Sequence, residues 1–215
     1  NNLVANVTNF TVWFAVTFWV FLETESVFAT GMIAGIYLVF TAGFGFWFGS
    51  LVDHFPKKRV MLGSSVASVA LYGAGLLLLL LAPEGAMQDV ASIWLWVFLL
   101  IVMLGVIAGN LRMIALPALV TVLIPEDTRD RANGLVGMVQ GIGFLTTSVI
   151  SGFLVAWTGM FGTLIFALVL TGVVFAHLSA VDFGPKASVA ATASATGEAP
   201  QPRRVDIKGT ILVVA

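Results

Sequence analysis

Long charge-free apolar runs, separated by short charged breaks, organise this chain. Leu3 to Leu22 is the first run, and the acidic break Glu23-Thr24-Glu25 divides it from a second, Ser26 to Val52. The basic break Lys57-Lys58-Arg59 precedes a third, Val60 to Ala82, and a fourth extends from Ala91 to Ile124, interrupted by Arg112 and Pro117. A helix that crosses a bilayer needs about 20 mostly apolar residues for a core roughly 30 Å thick. Each of the first three runs therefore predicts one crossing. The fourth predicts one over about 91–116 that continues into the interface. From Ala132 to Val181 there is no Asp, Glu, Lys or Arg. Helix over that whole stretch would measure about 75 Å, the length of two crossings, with the turn at Trp157-Thr158-Gly159. The expected spans are thus 3–22, 26–52, 60–82, 91–116, 132–157 and 159–181. Residues 182–207 change to Ala, Ser, Thr, Gly and Pro with scattered charges, the composition of a flexible linker. An apolar run restarts over 208–215, as a seventh span would.

Composition agrees. Of 215 residues 59% are hydrophobic and 10% charged, against roughly 45–50% and about 25% in a soluble domain, so the chain is expected to reside in the lipid bilayer. With no Cys and only His54 and His177, neither a disulfide framework nor a Cys/His metal centre is expected, and no metal or cofactor site is assigned. A net charge of −1 without a long basic tract argues against nucleic acid as a partner. The cations Lys57, Lys58, Arg59, Arg129, Arg131, Lys186, Arg203, Arg204 and Lys208 fall in the second, fourth and sixth connections. By the positive-inside rule those connections, the linker and the amino terminus are cytoplasmic. The start at Asn rather than Met and the apolar end suggest a segment of a longer protein.

Polar residues inside apolar spans need protein or water partners, so they are the candidates for chemistry. Asn2, Asn6, Asn9, Trp13 and Thr17 share one face of the first span. Asn133, Gly137, Gln140, Thr147 and Ser151 do so on the fifth. These faces either line a polar cavity or hydrogen-bond neighbouring helices. On the second span, Gly31, Gly35, Ala42, Gly45 and Gly49 form a stripe suited to close helix packing. Arg112 is the one charge within a span, a candidate functional cation or a side chain that snorkels to the interface. The substrate-cavity candidates, chosen for chemistry and depth, are Asn6, Asn9, Trp13, Asn110, Arg112 and Gln140. No Asp or Glu lies in mid-span to carry a coupling proton.

The second cytoplasmic connection, Gly49-Ser50-Leu51-Val52-Asp53-His54-Phe55-Pro56-Lys57-Lys58-Arg59-Val60-Met61, resembles the loop between helices 2 and 3 of the major facilitator superfamily, roughly G-x-L-a-D-r-x-G-r-k-x-x-l. Gly49, Leu51, Asp53, Lys57 and Lys58 match, whereas Val52, His54 and Pro56 depart from it. The resemblance implies an all-α integral membrane fold: a six-transmembrane-helix bundle of two inverted three-helix repeats, half of a twelve-helix fold. Gly152-Phe153-Leu154-Val155, laid over Gly49-Ser50-Leu51-Val52, is consistent with such a repeat. The stretch 125–133 looks like the corresponding connection in bacterial efflux-type members. Gly143, Thr147, Ser148, Ser151 and Gly152 form a remnant of a helix 5 motif found in drug–proton exchangers, without its Pro. By resemblance, Gly49, Leu51, Asp53, Lys57, Lys58 and Arg59 form a cytoplasmic latch between two halves.

The implied function is secondary active transport by alternating access, as proton-coupled efflux of drugs or amphipathic compounds in a bacterial inner membrane. The partners are then a small-molecule substrate, a coupling proton, the bilayer and a carboxy-terminal half. An uptake carrier for a sugar or metabolite fits the same loop. Two readings from other classes stand beside these. A six-span intramembrane serine protease would use Ser65 and His177, and a membrane interaction module would need only the packing stripes. No enzyme activity is expected on the main reading.

Overall fold

A computed structural model of the protein describes residues 2–123 and 126–181, the side chains of 2, 117–123, 126 and 129 excepted. The expected linker at 182–207 and seventh-span start at 208–215 lie outside the described residues. The chain forms α1 (Asn2–Thr24), α2 (Val27–His54), α3 (Lys57–Leu81), α4 (Ile93–Leu123) and α5 (Glu126–Ala180). All five helices are long and apolar enough to cross a membrane. No strand occurs among the described residues.

The breaks between helices have local causes. After α1, Glu25 takes a left-handed φ of 50°, and Ser26 caps α2 by accepting the Ala29 N–H on Oγ at 3.1 Å. After α2, Phe55 is extended (φ −114°, ψ 153°) ahead of Pro56, as the residue before a proline prefers. The α3–α4 connection turns at Gly85 (φ 77°) and returns to α1, where Gln88 Nε2 donates to Glu23 Oε2 at 2.9 Å.

Run lengths lead to an expectation of six spans, whereas the described residues form five helical elements. The 55 residues of α5 are helical throughout except at Gly159, at φ 61° and ψ −160°, a conformation that glycine adopts readily and other residues do not. Val155 before this break and Met160 after it share the main core, and the two sides diverge away from it. Before it, Phe144 meets Phe10 and Phe14 of α1 at ring-centroid distances of 5.5 and 5.2 Å. Met160 and Leu164, just after it, enter the main core with Trp19, Tyr72 and Phe98. Leu178, near the helix end, joins a second cluster with Val52, Val60, Met61, Leu111 and Ala115.

Helices α1 and α4 are the most buried and α2 the least. Lipid is as apolar as a helix face, so association must come from close packing and hydrogen bonds rather than from expelling water. Small residues supply the close packing where α3 meets α4. A Cβ on Gly75 would lie 2.7 Å from Val102 Cγ2, and one on Gly105 would lie 2.6 Å from the Tyr72 ring. On the same seam Ser64 Oγ donates to the Ala108 carbonyl and Ser68 Oγ to the Gly105 carbonyl, at 2.5 and 3.0 Å. The α2 stripe behaves otherwise. A Cβ on Gly31, Gly35, Gly45 or Gly49 would meet nothing within 4 Å, so the expected packing face is open among the described residues.

These contacts separate two glycine substitutions. Gly105→Ala forces the Tyr72 ring and Leu71 aside and is expected to destabilise by about 1–3 kcal/mol, the usual cost of overpacking. Gly73→Ala meets nothing within 4 Å and is expected to be neutral or stabilising by up to about 1 kcal/mol through helix propensity. Thermal unfolding of the purified protein in mild detergent measures both.

Candidate functional site

The polar residues of α1 converge on α4 through a gap that a glycine leaves. Asn9, 2% exposed, extends its amide over Gly109, where a Cβ would overlap the Asn9 Oδ1 atom. From there Asn9 Nδ2 donates to Asn110 Oδ1 at 2.9 Å. Asn110 Nδ2 in turn donates to the Tyr37 hydroxyl on α2 at 3.0 Å. On the other side the Tyr72 hydroxyl of α3 donates to Asn9 Oδ1 at 3.4 Å. One chain of hydrogen bonds thus links four helices, from fully buried Tyr72 to half-buried Tyr37.

Arg112 lies one turn from this chain, 4% exposed. Its Nη1 donates to Ser65 Oγ at 3.0 Å, and Ser65 passes its own hydrogen to the Met61 carbonyl at 3.0 Å. Burial at 4% excludes snorkelling, in which the charged head would reach the interface. Its Nε has no hydrogen-bond partner. Among the described residues Arg112 is held by neutral groups alone, an arrangement that leaves a buried charge only partly compensated. Ser65 is committed to Arg112 and Met61, while His177 is exposed at the end of α5. No hydrogen bond joins that serine and histidine, the contact on which the protease reading rests.

The other cavity candidates are dispersed. Asn6 is buried against Gly143, whose Cβ would lie 3.8 Å from Asn6 Cβ, and its Nδ2 is without a partner. The Trp13 ring is tilted at 56° to that of Tyr37 at a centroid distance of 5.7 Å, its Nε1 also without a partner. Gln140 is half-buried on α5, and Asn133 is exposed. The helix 5 hydroxyls turn back on their own helix: Thr147 to the Phe144 carbonyl at 2.9 Å, Ser148 to Leu145 at 2.8 Å and Ser151 to Ser148 at 3.1 Å. Such back-bonding satisfies a hydroxyl in an apolar setting without a neighbour. Gly152 instead borders an apolar cavity of about 380 Å³ with Thr17, Phe18, Phe21, Thr30 and Val155.

At the α2–α3 connection, Leu51, Asp53 and Arg59 are exposed, and Gly49 and Lys57 half-buried. Lys58 Nζ donates to the Ser179 carbonyl at 3.3 Å and to the Val181 carbonyl at 2.5 Å. It thereby neutralises the carbonyl end of α5, where a helix dipole favours a cation. His54 Nδ1 lies 2.8 Å from the Ser50 carbonyl of its own helix.

Residue types alone left Tyr37, Tyr72, Gly105 and Gly109 unassigned. The chain has two tyrosines, both in mid-span, and both take part in the hydrogen-bonded chain. That rarity is a signal that could have found them, and Gly105-Val106-Ile107-Ala108-Gly109 is the small-residue spacing that allows a close helix contact.

Removing a hydroxyl beside Arg112 is expected to cost more than removing one that meets a carbonyl. Ser65→Ala should destabilise by about 1.5–3 kcal/mol, the range for hydrogen bonds to charged groups, and Ser64→Ala by about 1 kcal/mol. Unfolding transitions in detergent, read for both variants, check the order.

The model of the Major Facilitator Superfamily matches residues 2–210. No curated protein and no solved structure gives a match. With nearly the whole chain matched, and with membrane-length apolar helices packed round a buried polar network, the protein belongs to the Major Facilitator Superfamily of membrane transporters.

Proposed function

We propose that this chain is the amino-terminal six-crossing bundle of a proton-coupled exporter of drugs or other amphipathic compounds, working by alternating access in a bacterial inner membrane. The observation that carries the reading is the polar chain Tyr72–Asn9–Asn110–Tyr37, which runs from the most buried part of the bundle to a half-buried hydroxyl on its least buried helix. In an apolar solvent such a chain needs a reason, and a path for a polar substrate group is one. Six crossings rather than five are supported by the contacts of α5. Gly143 lies against the start of α1, Phe144 against its middle and Val155 beside its end, whereas beyond Gly159 the contacts return to Leu178 beside Val52 and Val60. We take residues 182–207 as a cytoplasmic linker to a second half, and the two three-helix groups as inverted repeats.

Alternating access requires contacts that exist in one state and break in the other. The open glycine face of α2 offers a surface on which a second half slides. Asp53 offers the state-dependent contact. A carboxylate at the carbonyl end of its own helix is disfavoured there, and gains by meeting a positive group across the interface between halves. Gly49 and Leu51 keep that approach close, and Lys57, Lys58 and Arg59 hold the loop on the cytoplasmic side.

The test uses the full-length protein in sealed inverted vesicles, with an imposed proton gradient followed by a pH-sensitive dye while amphipathic drugs and sugars are added singly. Dissipation by an amphipathic drug is expected, and Asp53→Asn should slow it at least about tenfold, within the usual range of coupling free energies, with normal membrane insertion. A response to sugars alone would replace export of drugs with a carbohydrate carrier. Wild-type rates in Asp53→Asn would remove the latch.

A further inference from the structure

Two hydrogen-bond donors where α1 faces α2 have no acceptor among the described residues. Tyr37 accepts from Asn110, but its own hydroxyl hydrogen has no acceptor among the described residues. The Trp13 indole, 5.7 Å away between ring centroids, has an N–H without a partner as well. A buried donor without an acceptor, as Trp13 Nε1 is, is rare and calls for a ligand, a water or an ion, and the half-buried Tyr37 offers a second donor. One turn further along α1 the surface becomes apolar. Thr17 and Thr30 return their hydroxyl hydrogens to the Trp13 and Ser26 carbonyls at 2.9 and 3.0 Å, and the cavity of about 380 Å³ opens between Phe18, Phe21 and Val155. The runs between the charged breaks contain no carboxylate and one cation, Arg112.

We propose that Trp13 Nε1 and Tyr37 Oη form an acceptor-binding subsite next to the apolar cavity, and that its ligand is an amphipathic anion: an aromatic or aliphatic body with a sulfonate or carboxylate head. The inference rests on the transport reading for its direction of use, but the subsite itself is a matter of binding. The body occupies the cavity while the head takes the two free hydrogens, reached by a turn of the half-buried indole. A quaternary ammonium head finds no carboxylate there and gains only cation–π contact with the rings, weaker than hydrogen bonds from two donors to an anion. The subsite therefore selects by charge, with apolar area shared by both ligand types.

Matched probes separate these contributions: radiolabelled 2-naphthalenesulfonate and trimethyl(2-naphthyl)ammonium, bound to the full-length protein purified in detergent. The sulfonate is expected to bind at least about tenfold tighter than the ammonium. Tyr37→Phe keeps the ring and removes the hydroxyl, the acceptor of the Asn110 bond included, and Trp13→Phe exchanges the indole for a smaller ring without the N–H. Each should weaken the sulfonate about tenfold, as for loss of a hydrogen bond to a charged group, and Tyr37→Phe should leave the ammonium within about twofold. Gly152→Leu, whose Cβ meets nothing within 4 Å, fills the cavity and should weaken both probes together. If Trp13→Phe fails to fold, Tyr37→Phe decides alone. Equal or tighter binding of the ammonium, undiminished sulfonate binding in Tyr37→Phe, or no binding of either probe would overturn the subsite. Counterflow in proteoliposomes preloaded with the sulfonate tests transport separately. Tyr37-dependent binding without exchange across the membrane would sink the transport reading and leave the subsite standing.

Discussion

The close approach of α4 to α1 and α3, made possible by Gly105 and Gly109, is the contact on which the bundle depends. In lipid there is little to gain from bringing one apolar face against another, so helices must touch at short range and exchange hydrogen bonds to stay together. Gly105 lets the Tyr72 ring approach α4 closely, and Gly109 makes room for the Asn9 amide. From these two positions follow the Asn9–Asn110 bond, the Tyr72–Asn9 bond and the serine bonds that join α3 to α4. A methyl group at either glycine would separate the helices that carry the polar chain.

Polar side chains in this bundle take one of two routes. Most hydroxyls on α1 and α5 bond a carbonyl of their own helix, which satisfies them locally and leaves the helix surface apolar. Asparagine, tyrosine and arginine are too large or too rich in donors for that route and reach across to other helices. Arg112 shows the consequence: held by Ser65 but by no carboxylate among the described residues, it keeps a positive potential inside the apolar core. Stability and function pull in different directions there, since a better-paired cation would be less available to anything that moves through the protein.

Much of the architecture was legible in the sequence because the bilayer imposes a length and a solvent. Runs of about 20 apolar residues mean helices, and the charged breaks at Glu23–Glu25 and Lys57–Arg59 lie at the ends of α1 and the start of α3. The site was legible in part. Helical spacing put Asn6, Asn9 and Trp13 on one face, and depth singled out Asn110 and Arg112, but periodicity within one helix cannot say which residue on another helix answers it. Asn9 and Asn110, 101 positions apart, meet only because Gly109 leaves the space. The same limit explains the small residues: an identical pattern is packed at Gly105 and Gly109 and open at Gly31 and Gly35. Whether a second helix lies opposite is a property of the bundle, not of the stripe.

The most direct measurement is a double-mutant cycle on Asn9 and Asn110, each changed to Ala, in the wild-type protein and again in Gly109→Ala, with unfolding free energies read in the same detergent. In the wild-type background a coupling of about 0.6–1.7 kcal/mol is expected, as for interhelical hydrogen bonds in membranes. In Gly109→Ala it should fall to zero within error, because the added methyl occupies the space of the Asn9 amide. Coupling that survives the methyl group would contradict the dependence of the polar chain on the glycine gap.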